Sequence, residues 1–212
     1  MIFIFISVSM TTAQTPDLTP PEFGDFDPAG IEGINPEDYP VLPEVTEHAR
    51  VIYERGQEAA RNAQVFSKVG DCMTWSVYFL APFGLGDYDL GENTGLQETI
   101  DFFGGVPVRD REGWDYDTFA NPSIAAAQGF NTASVLDPIW SNPEWCVSDE
   151  SPLACEYRLS NPAFSFIMFG TNDVFFIEES SFDYYLRTIV LETINADIVP
   201  IMSTFPTRPE FP

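Results

Sequence analysis

Basic residues are scarce in this chain. Its 212 residues contain nine Lys and Arg, of which Lys68 is the only lysine, against 33 Asp and Glu, so the formal net charge is −24. A surface with this charge repels phosphate backbones and anionic lipid headgroups. Nucleic acid is therefore excluded as a partner. Such an acid-rich, lysine-poor surface suits a salty extracellular setting.

Histidine and cysteine are also rare. His48 is the only histidine, and the three cysteines form no Cys-x-x-Cys pair. A zinc site built on Cys and His is therefore excluded, and we expect no metal and no cofactor. Cys146 and Cys155 flank CVSDESPLAC, a predicted loop rich in turn-forming residues. We predict that they form a disulfide, with two buried free thiols as the alternative, and that Cys72 is unpaired.

No apolar run is long enough to cross a bilayer. The chain begins MIFIFISVSMTTAQ, in which 2–8 fits the apolar core of a signal peptide and 11–13 fits a cleavage site. The basic residues that usually precede such a core are missing, so a tail without a targeting role is the alternative. We predict a signal peptide over 1–13, and a protein that is secreted, periplasmic or held at the cell surface without stable membrane insertion.

A second segment, 14–45, is rich in proline and acid and contains no Lys or Arg. Proline at this density sustains neither a helix nor a central strand, so this segment predicts an extended arm. From residue 46 to 212 the pattern is that of one folded domain, in which apolar runs alternate with helical patterns. The predicted strands are 65–70, 123–127, 164–169 and 198–204, and the predicted helices are 46–61, 132–136 and 181–195. Residues 74–83 are predicted to form a short helix or a turn, and 96–103 to form a helix or a helix with an extended end.

Strands that alternate with helices predict an α/β fold, a three-layer α/β/α sandwich with a mostly parallel, flavodoxin-like sheet. Ligands in such folds bind beyond the carboxyl ends of the strands. Polar, glycine-bearing loops follow three of the predicted strands. We therefore predict a site at this edge, built from Gly70-Asp71-Cys72, from Gln128-Gly129 and from Gly170-Thr171-Asn172-Asp173.

These blocks, KVGDC, QGFNTASVL and FGTND, resemble the SGNH/GDSL hydrolase family of esterases and lipases, over roughly 62–204. The resemblance implies hydrolysis of the acyl esters of lipids or glycans, or of a small-molecule ester. It places Cys72 at the nucleophile position and makes Gly129 and Asn172 the donors of the oxyanion hole. The supporting residues that it implies are Gly70, Asp71, Gly170 and Asp173.

The sequence departs from the family pattern at two points. Cys72 stands where the family has its serine, and a thiol attacks an ester only as the thiolate. The family's Asp-x-x-His block has no counterpart here, so we expect the fold to be incomplete at its C-terminus. Two alternatives follow: a non-catalytic SGNH-like domain that binds an acylated glycan or surface ligand, and a flavodoxin-like binding domain without hydrolase ancestry.

Aromatic residues accompany the predicted site. They either line an acyl or sugar pocket or pack in the core: Trp75, Trp114, Phe130, Phe175 and Phe176.

Overall fold

The computed structural model describes residues 26–30, 34–35, 38–109 and 113–204. The predicted signal peptide and most of the predicted arm lie outside these residues. The helices in the described part are α1 (Glu47–Glu58), α2 (Cys72–Trp75), α3 (Ala81–Leu85), α4 (Gln97–Gly104), α5 (Pro152–Ser160), α6 (Asp173–Phe176) and α7 (Glu179–Asn195). The strands are β1 (Asn62–Gly70), β2 (Pro162–Met168) and β3 (Val199–Met202).

The three strands form one parallel sheet in the order β1-β2-β3. Lys68 of β1 is opposite Phe166 of β2, which in turn is opposite Ile201 of β3. The predicted mixed α/β class with a parallel sheet is therefore confirmed. Pro200 lies in β3, which is an edge strand in the described sheet, where the missing N–H of proline is tolerated.

The predicted strand over 123–127 is wrong. This segment makes a single parallel bridge, between Gly70 and Ala126, on the side of β1 away from β2. Its Ile124 N–H donates instead to the carboxylate of Glu156, at 2.9 Å, and Pro122 has no N–H to offer a strand. The segment nevertheless lies beside the carboxyl end of β1.

The two faces of the sheet pack against different layers. Ile167 of β2 packs in a core with Leu153 and Tyr157 of α5 and Ile189 of α7. On the opposite face, Phe164 and Phe166 pack against a hydrophobic cluster of Phe66, Ile100 and Phe119. Alternation along β2 therefore places successive side chains in two separate cores.

Arg109 and Glu156 form a buried ion pair. Glu156 of α5 is fully buried and accepts hydrogen bonds from Arg109 at 3.0 Å and from the hydroxyl of Ser67 on β1 at 3.1 Å. The Arg109 guanidinium lies over the rings of Trp114 and Trp145, 4.7 and 4.9 Å from their centroids, and these two rings also contact each other. Because Glu156 also binds Ile124, it fixes the start of the segment that leads to Gly129.

Several helices differ from the sequence prediction. The segment 74–83, predicted as a short helix or a turn, contains the end of α2 and the start of α3. The two helices are separate because Ser76 leaves the helical conformation, with ψ of 136°, and Leu80 is left-handed, with φ of 64°. The predicted helix over 132–136 is only the 3-10 turn Ser134–Leu136. The predicted loop between Cys146 and Cys155 contains the start of α5, which is capped by Ser151.

The predicted disulfide between Cys146 and Cys155 is confirmed, with the two Cα atoms 5.4 Å apart, and Cys72 is a free cysteine. In the described ranges, none of the helices combines the length and the apolar character that a bilayer-spanning segment needs.

Candidate active site

The loops that follow β1 and β2 are joined by a buried carboxylate. Asp71 accepts the N–H of Met73 at 2.9 Å, which caps α2, and the N–H of Thr171 at 3.1 Å, which belongs to the loop after β2. The side chain of Asp71 is fully buried, and this burial raises its pKa, although the two backbone donors act in the opposite direction. We call the loops after β1, after 123–127 and after β2 the first, second and third loops. Asp71 therefore joins the first loop to the third.

Gly70 is required by this close approach. A Cβ atom at Gly70 would overlap with Oγ1 of Thr74 and with the carbonyl oxygen of Met168. The Thr74 hydroxyl donates to that same carbonyl at 3.3 Å. α2 can therefore pack on the ends of β1 and β2 only when position 70 lacks a side chain.

The second and third loops are joined by Asp173. One oxygen of this buried carboxylate accepts the N–H of Thr132 at 2.8 Å and its hydroxyl at 2.6 Å. The other oxygen accepts the N–H of Gly170 at 3.1 Å. The loop that contains Gly129 is therefore held against the loop that contains Asn172.

The two candidate oxyanion donors lie in these joined loops. Asn172 donates one Nδ2 hydrogen to the carbonyl of Phe130 at 2.7 Å, and a primary amide has a second N–H to offer. Gly129 is exposed and adopts a left-handed conformation with φ of 83°. Nothing lies within 4 Å of the position that its Cβ would occupy, so space for a ligand adjoins this glycine.

Cys72 is the first residue of α2, directly after the Asp71 cap, and its side chain is half-buried. It lies at the start of a helix, where backbone N–H groups are free of helical partners. The structure therefore places Cys72 at the corner between β1 and α2 with a free thiol, and its predicted role as a nucleophile stays a prediction.

The described loops 71–80, 128–134 and 169–178 contain no histidine, lysine or arginine. Both oxygens of Asp71 are engaged by backbone N–H groups, so this carboxylate is a structural tie. His48, the only histidine of the chain, is exposed in the first turn of α1. The first loop therefore carries a free thiol, and the second and third loops are joined by the hydrogen bond from Asn172 to Phe130.

The aromatic residues predicted near the site divide into two groups. Phe130 is buried in the core, and Trp114 contacts Arg109 while its indole donates to Asn121 at 3.1 Å. Trp75, Phe175 and Phe176, in contrast, are exposed. A cavity of about 370 Å³ also adjoins the third loop, and its lining includes Phe26, Gly170, Asp173, Val174, Phe182 and Leu186.

Among the described residues, one group of three potential metal ligands comes together within 4.8 Å: Cys146, Glu150 and Cys155. The two sulfur atoms are bonded to each other, and Glu150 accepts two hydrogen bonds from Arg158, at 2.7 and 2.8 Å. These contacts use the ligand atoms, so the group is not a metal site in the oxidised protein.

The sequence prediction placed Thr171 in the site but gave Thr132 no role there. Thr132 binds the carboxylate of Asp173, 41 positions away, and no local sequence pattern indicates that contact. A local signal does exist for the second loop. Asn131 accepts the N–H of Ser134 at 2.9 Å, the spacing of a capping residue, and this marks the end of the loop.

Comparison with protein-family models, with curated proteins and with solved structures returns no significant match to this chain. The class that the described residues define is a mixed α/β protein with a parallel sheet and a polar cluster at its carboxyl edge.

Proposed function

We propose that this chain is an SGNH-type domain of ester-hydrolase lineage, and that its site binds the acyl carbonyl of a lipid or glycan ester. One observation carries the proposal. The three loops that resemble the family blocks are hydrogen-bonded into one cluster, by Asp71 to Thr171 and by Asp173 to Thr132. β1 lies between the segment around Ala126 and β2. In a flavodoxin-like sheet the first strand likewise lies between the second and the third, so this arrangement supports the proposal.

The chemistry of the site is acyl transfer. The Cys72 thiolate attacks the carbonyl carbon, and the oxyanion that develops is bound by the N–H groups of Cys72 and Gly129 and by the Asn172 amide. Collapse breaks the bond to the alcohol oxygen, which takes a proton from water, and leaves a thioester on Cys72. Each oxyanion donor contributes about 2.7–4 kcal/mol to such a step.

The test is acylation of Cys72 by p-nitrophenyl acetate. We expect release of p-nitrophenolate together with an acetyl adduct on Cys72, both absent from Cys72→Ala. Asn172→Ala is expected to slow the ester reaction about 10²- to 10³-fold. Its labelling by iodoacetamide should equal that of wild type, because alkylation develops no oxyanion. Equal ester reactivity of wild type and Cys72→Ala contradicts the proposal.

A second candidate is a non-catalytic SGNH-like domain that binds an acylated glycan or a surface ligand. It is favoured by the engagement of both Asp71 oxygens and by the position of the single histidine in α1. This candidate predicts no turnover of p-nitrophenyl acetate by wild type or by Cys72→Ser. Turnover that appears in Cys72→Ser argues against it.

We also propose that the protein acts outside the cytoplasm. The disulfide between Cys146 and Cys155 supports this location, because such bonds persist mainly in oxidising compartments. Expression with the N-terminal segment attached to a reporter enzyme tests it: the reporter should appear in the periplasm or the medium.

A further inference from the structure

Large apolar side chains are exposed on the segments that follow β1 and β2. After β1, Trp75, Val77 and Tyr78 are 50%, 65% and 86% exposed. After β2, Val174 and Phe176 are 43% and 76% exposed. Single exposed apolar residues are ordinary on protein surfaces, but five of them after two adjacent strand ends are not. We call these five residues the apolar rim.

The apolar rim belongs to one edge of the molecule. α2 follows β1 after Asp71, and α6 follows β2 after the short loop 169–172. β1 and β2 pair in parallel, and such strands lie about 4.8 Å apart. The two segments are also joined by the Asp71–Thr171 hydrogen bond and by the bond from Thr74 to Met168. Both therefore leave the sheet side by side, at the edge that holds Cys72.

The polarity of these segments is the reverse of that in ordinary solvent-facing loops. Their polar side chains Asp71, Thr74 and Asp173 are buried and hydrogen-bonded inside the protein. The five side chains of the apolar rim, in contrast, face outward. An edge that turns its polar groups inward and its aromatic groups outward is built to contact an apolar phase.

The side-chain types in the apolar rim indicate which apolar phase this edge contacts. Trp and Tyr combine an apolar ring with a polar tip and concentrate at the level of lipid headgroups, whereas Phe and Val enter the acyl region. The net charge of −24 repels anionic lipid and equally repels a second copy of this chain. Glu178 and Glu179, exposed beside Phe176, attract the cationic choline group of a zwitterionic lipid.

We propose that the apolar rim docks this protein on a lipid–water interface without net negative charge, of the kind that phosphatidylcholine forms. Docking in this orientation brings Cys72 to the surface of the lipid. The consequence that lipid esters are the substrates rests on the proposed function; the docking itself does not.

Vesicle flotation with the full chain tests the docking. We expect wild-type protein to float with phosphatidylcholine vesicles and its tryptophan emission to shift to the blue, because Trp75 enters the headgroup layer. Vesicles that also contain phosphatidylglycerol should bind less protein at low salt. Absence of flotation, or stronger binding to the vesicles with phosphatidylglycerol, overturns the proposal.

Variants then locate the contact. Val77→Ser and Phe176→Ser should each weaken vesicle binding about tenfold, because each removes a side chain that the lipid covers. Phe102→Ser is the matched control. Phe102 is 46% exposed on α4, and Gln64 near the start of β1 donates to its carbonyl at 2.9 Å, so it lies toward the opposite edge of the sheet. Equal losses in rim and control variants overturn the proposal.

Two further outcomes are informative. A dimer in solution that Phe176→Ser dissociates would make the rim an interface between copies and overturn the docking. Vesicle binding without an acetyl adduct on Cys72 contradicts the proposed function alone. An adduct without vesicle binding contradicts the docking alone.

Discussion

The carboxylate of Asp173 holds Thr132 by both its backbone N–H, at 2.8 Å, and its hydroxyl, at 2.6 Å. The two residues belong to different loops, and Asp173 also binds Gly170 in its own loop. Asp173, Thr132 and Gly170 are all buried. Water therefore cannot form the hydrogen bonds that would be lost with the carboxylate. The alignment of the second and third loops therefore depends on one carboxylate.

We predict that Asp173→Ala lowers the free energy of unfolding by about 3 kcal/mol, because it leaves the N–H groups of Thr132 and Gly170 unpaired. Urea unfolding measures this loss. Asp183→Ala is the control: Asp183 pairs with Arg187 on the exposed side of α7, and its removal should cost about 0.5 kcal/mol. A similar loss in both variants contradicts the role assigned to Asp173.

Short sequence patterns correctly predicted β2 and α7, whose signals lie within a few consecutive residues. The apolar run FSFIMF is mostly β2, and SFDYYLRTIVLETIN is nearly all of α7. The GTND block follows β2 as expected. Ser151-Pro152, a capping serine followed by a proline, also carried the signal for the start of α5, but the turn-forming residues before it led to the prediction of a loop.

Long-range contacts account for the remaining differences. The segment 123–127 has the composition of a strand, yet Glu156 takes the Ile124 N–H, and this contact depends on where α5 packs. The pairing of Asp71 with Thr171 joins residues 100 positions apart. The sequence could predict that three loops share an edge, but not which side chains join them.

Lys68 gives the protein a distinctive dependence on pH. Its Nζ donates to the carbonyl of Phe119 at 2.6 Å inside the protein, and burial lowers its pKa from 10.5 to about 8, although Glu156 and Asp117 act in the opposite direction. Between pH 8 and 10.5 the unfolded chain therefore holds a proton that the folded chain has lost. In this window stability rises with pH, and below it the full penalty of the buried charge applies.

We predict that wild type gains about 3 kcal/mol relative to Lys68→Met as pH rises through that window. Urea unfolding at several pH values measures the difference, and other titrating groups largely cancel between the two proteins. Stability curves that stay parallel from neutral pH to pH above 10 would show that the Lys68 charge is not buried as described.

The disulfide between Cys146 and Cys155 closes a short loop, with a sequence separation of 9, at the start of α5. Its loss should lower the free energy of unfolding by about 2–3 kcal/mol, because the unfolded chain regains the entropy of that loop. The experiment compares urea midpoints with and without reducing agent in a Cys72→Ser background, which prevents thiol exchange. Cys146→Ser/Cys155→Ser in the same background should match the reduced protein, and unchanged midpoints would contradict this prediction.

Two glycines of the site should respond differently to the same substitution. At Gly70 an added Cβ overlaps with Thr74 and with the backbone of Met168, so Gly70→Ala must displace α2 and should cost about 3 kcal/mol or more. At Gly129 the space is open and only the left-handed backbone opposes a side chain, so Gly129→Ala should cost about 1 kcal/mol. Because alanine keeps the backbone N–H, Gly129→Ala should still allow acylation of Cys72, whereas Gly70→Ala should abolish it. Urea unfolding and adduct formation with p-nitrophenyl acetate separate the two variants, and an equal response would mean that the close approach at Gly70 does not shape the site.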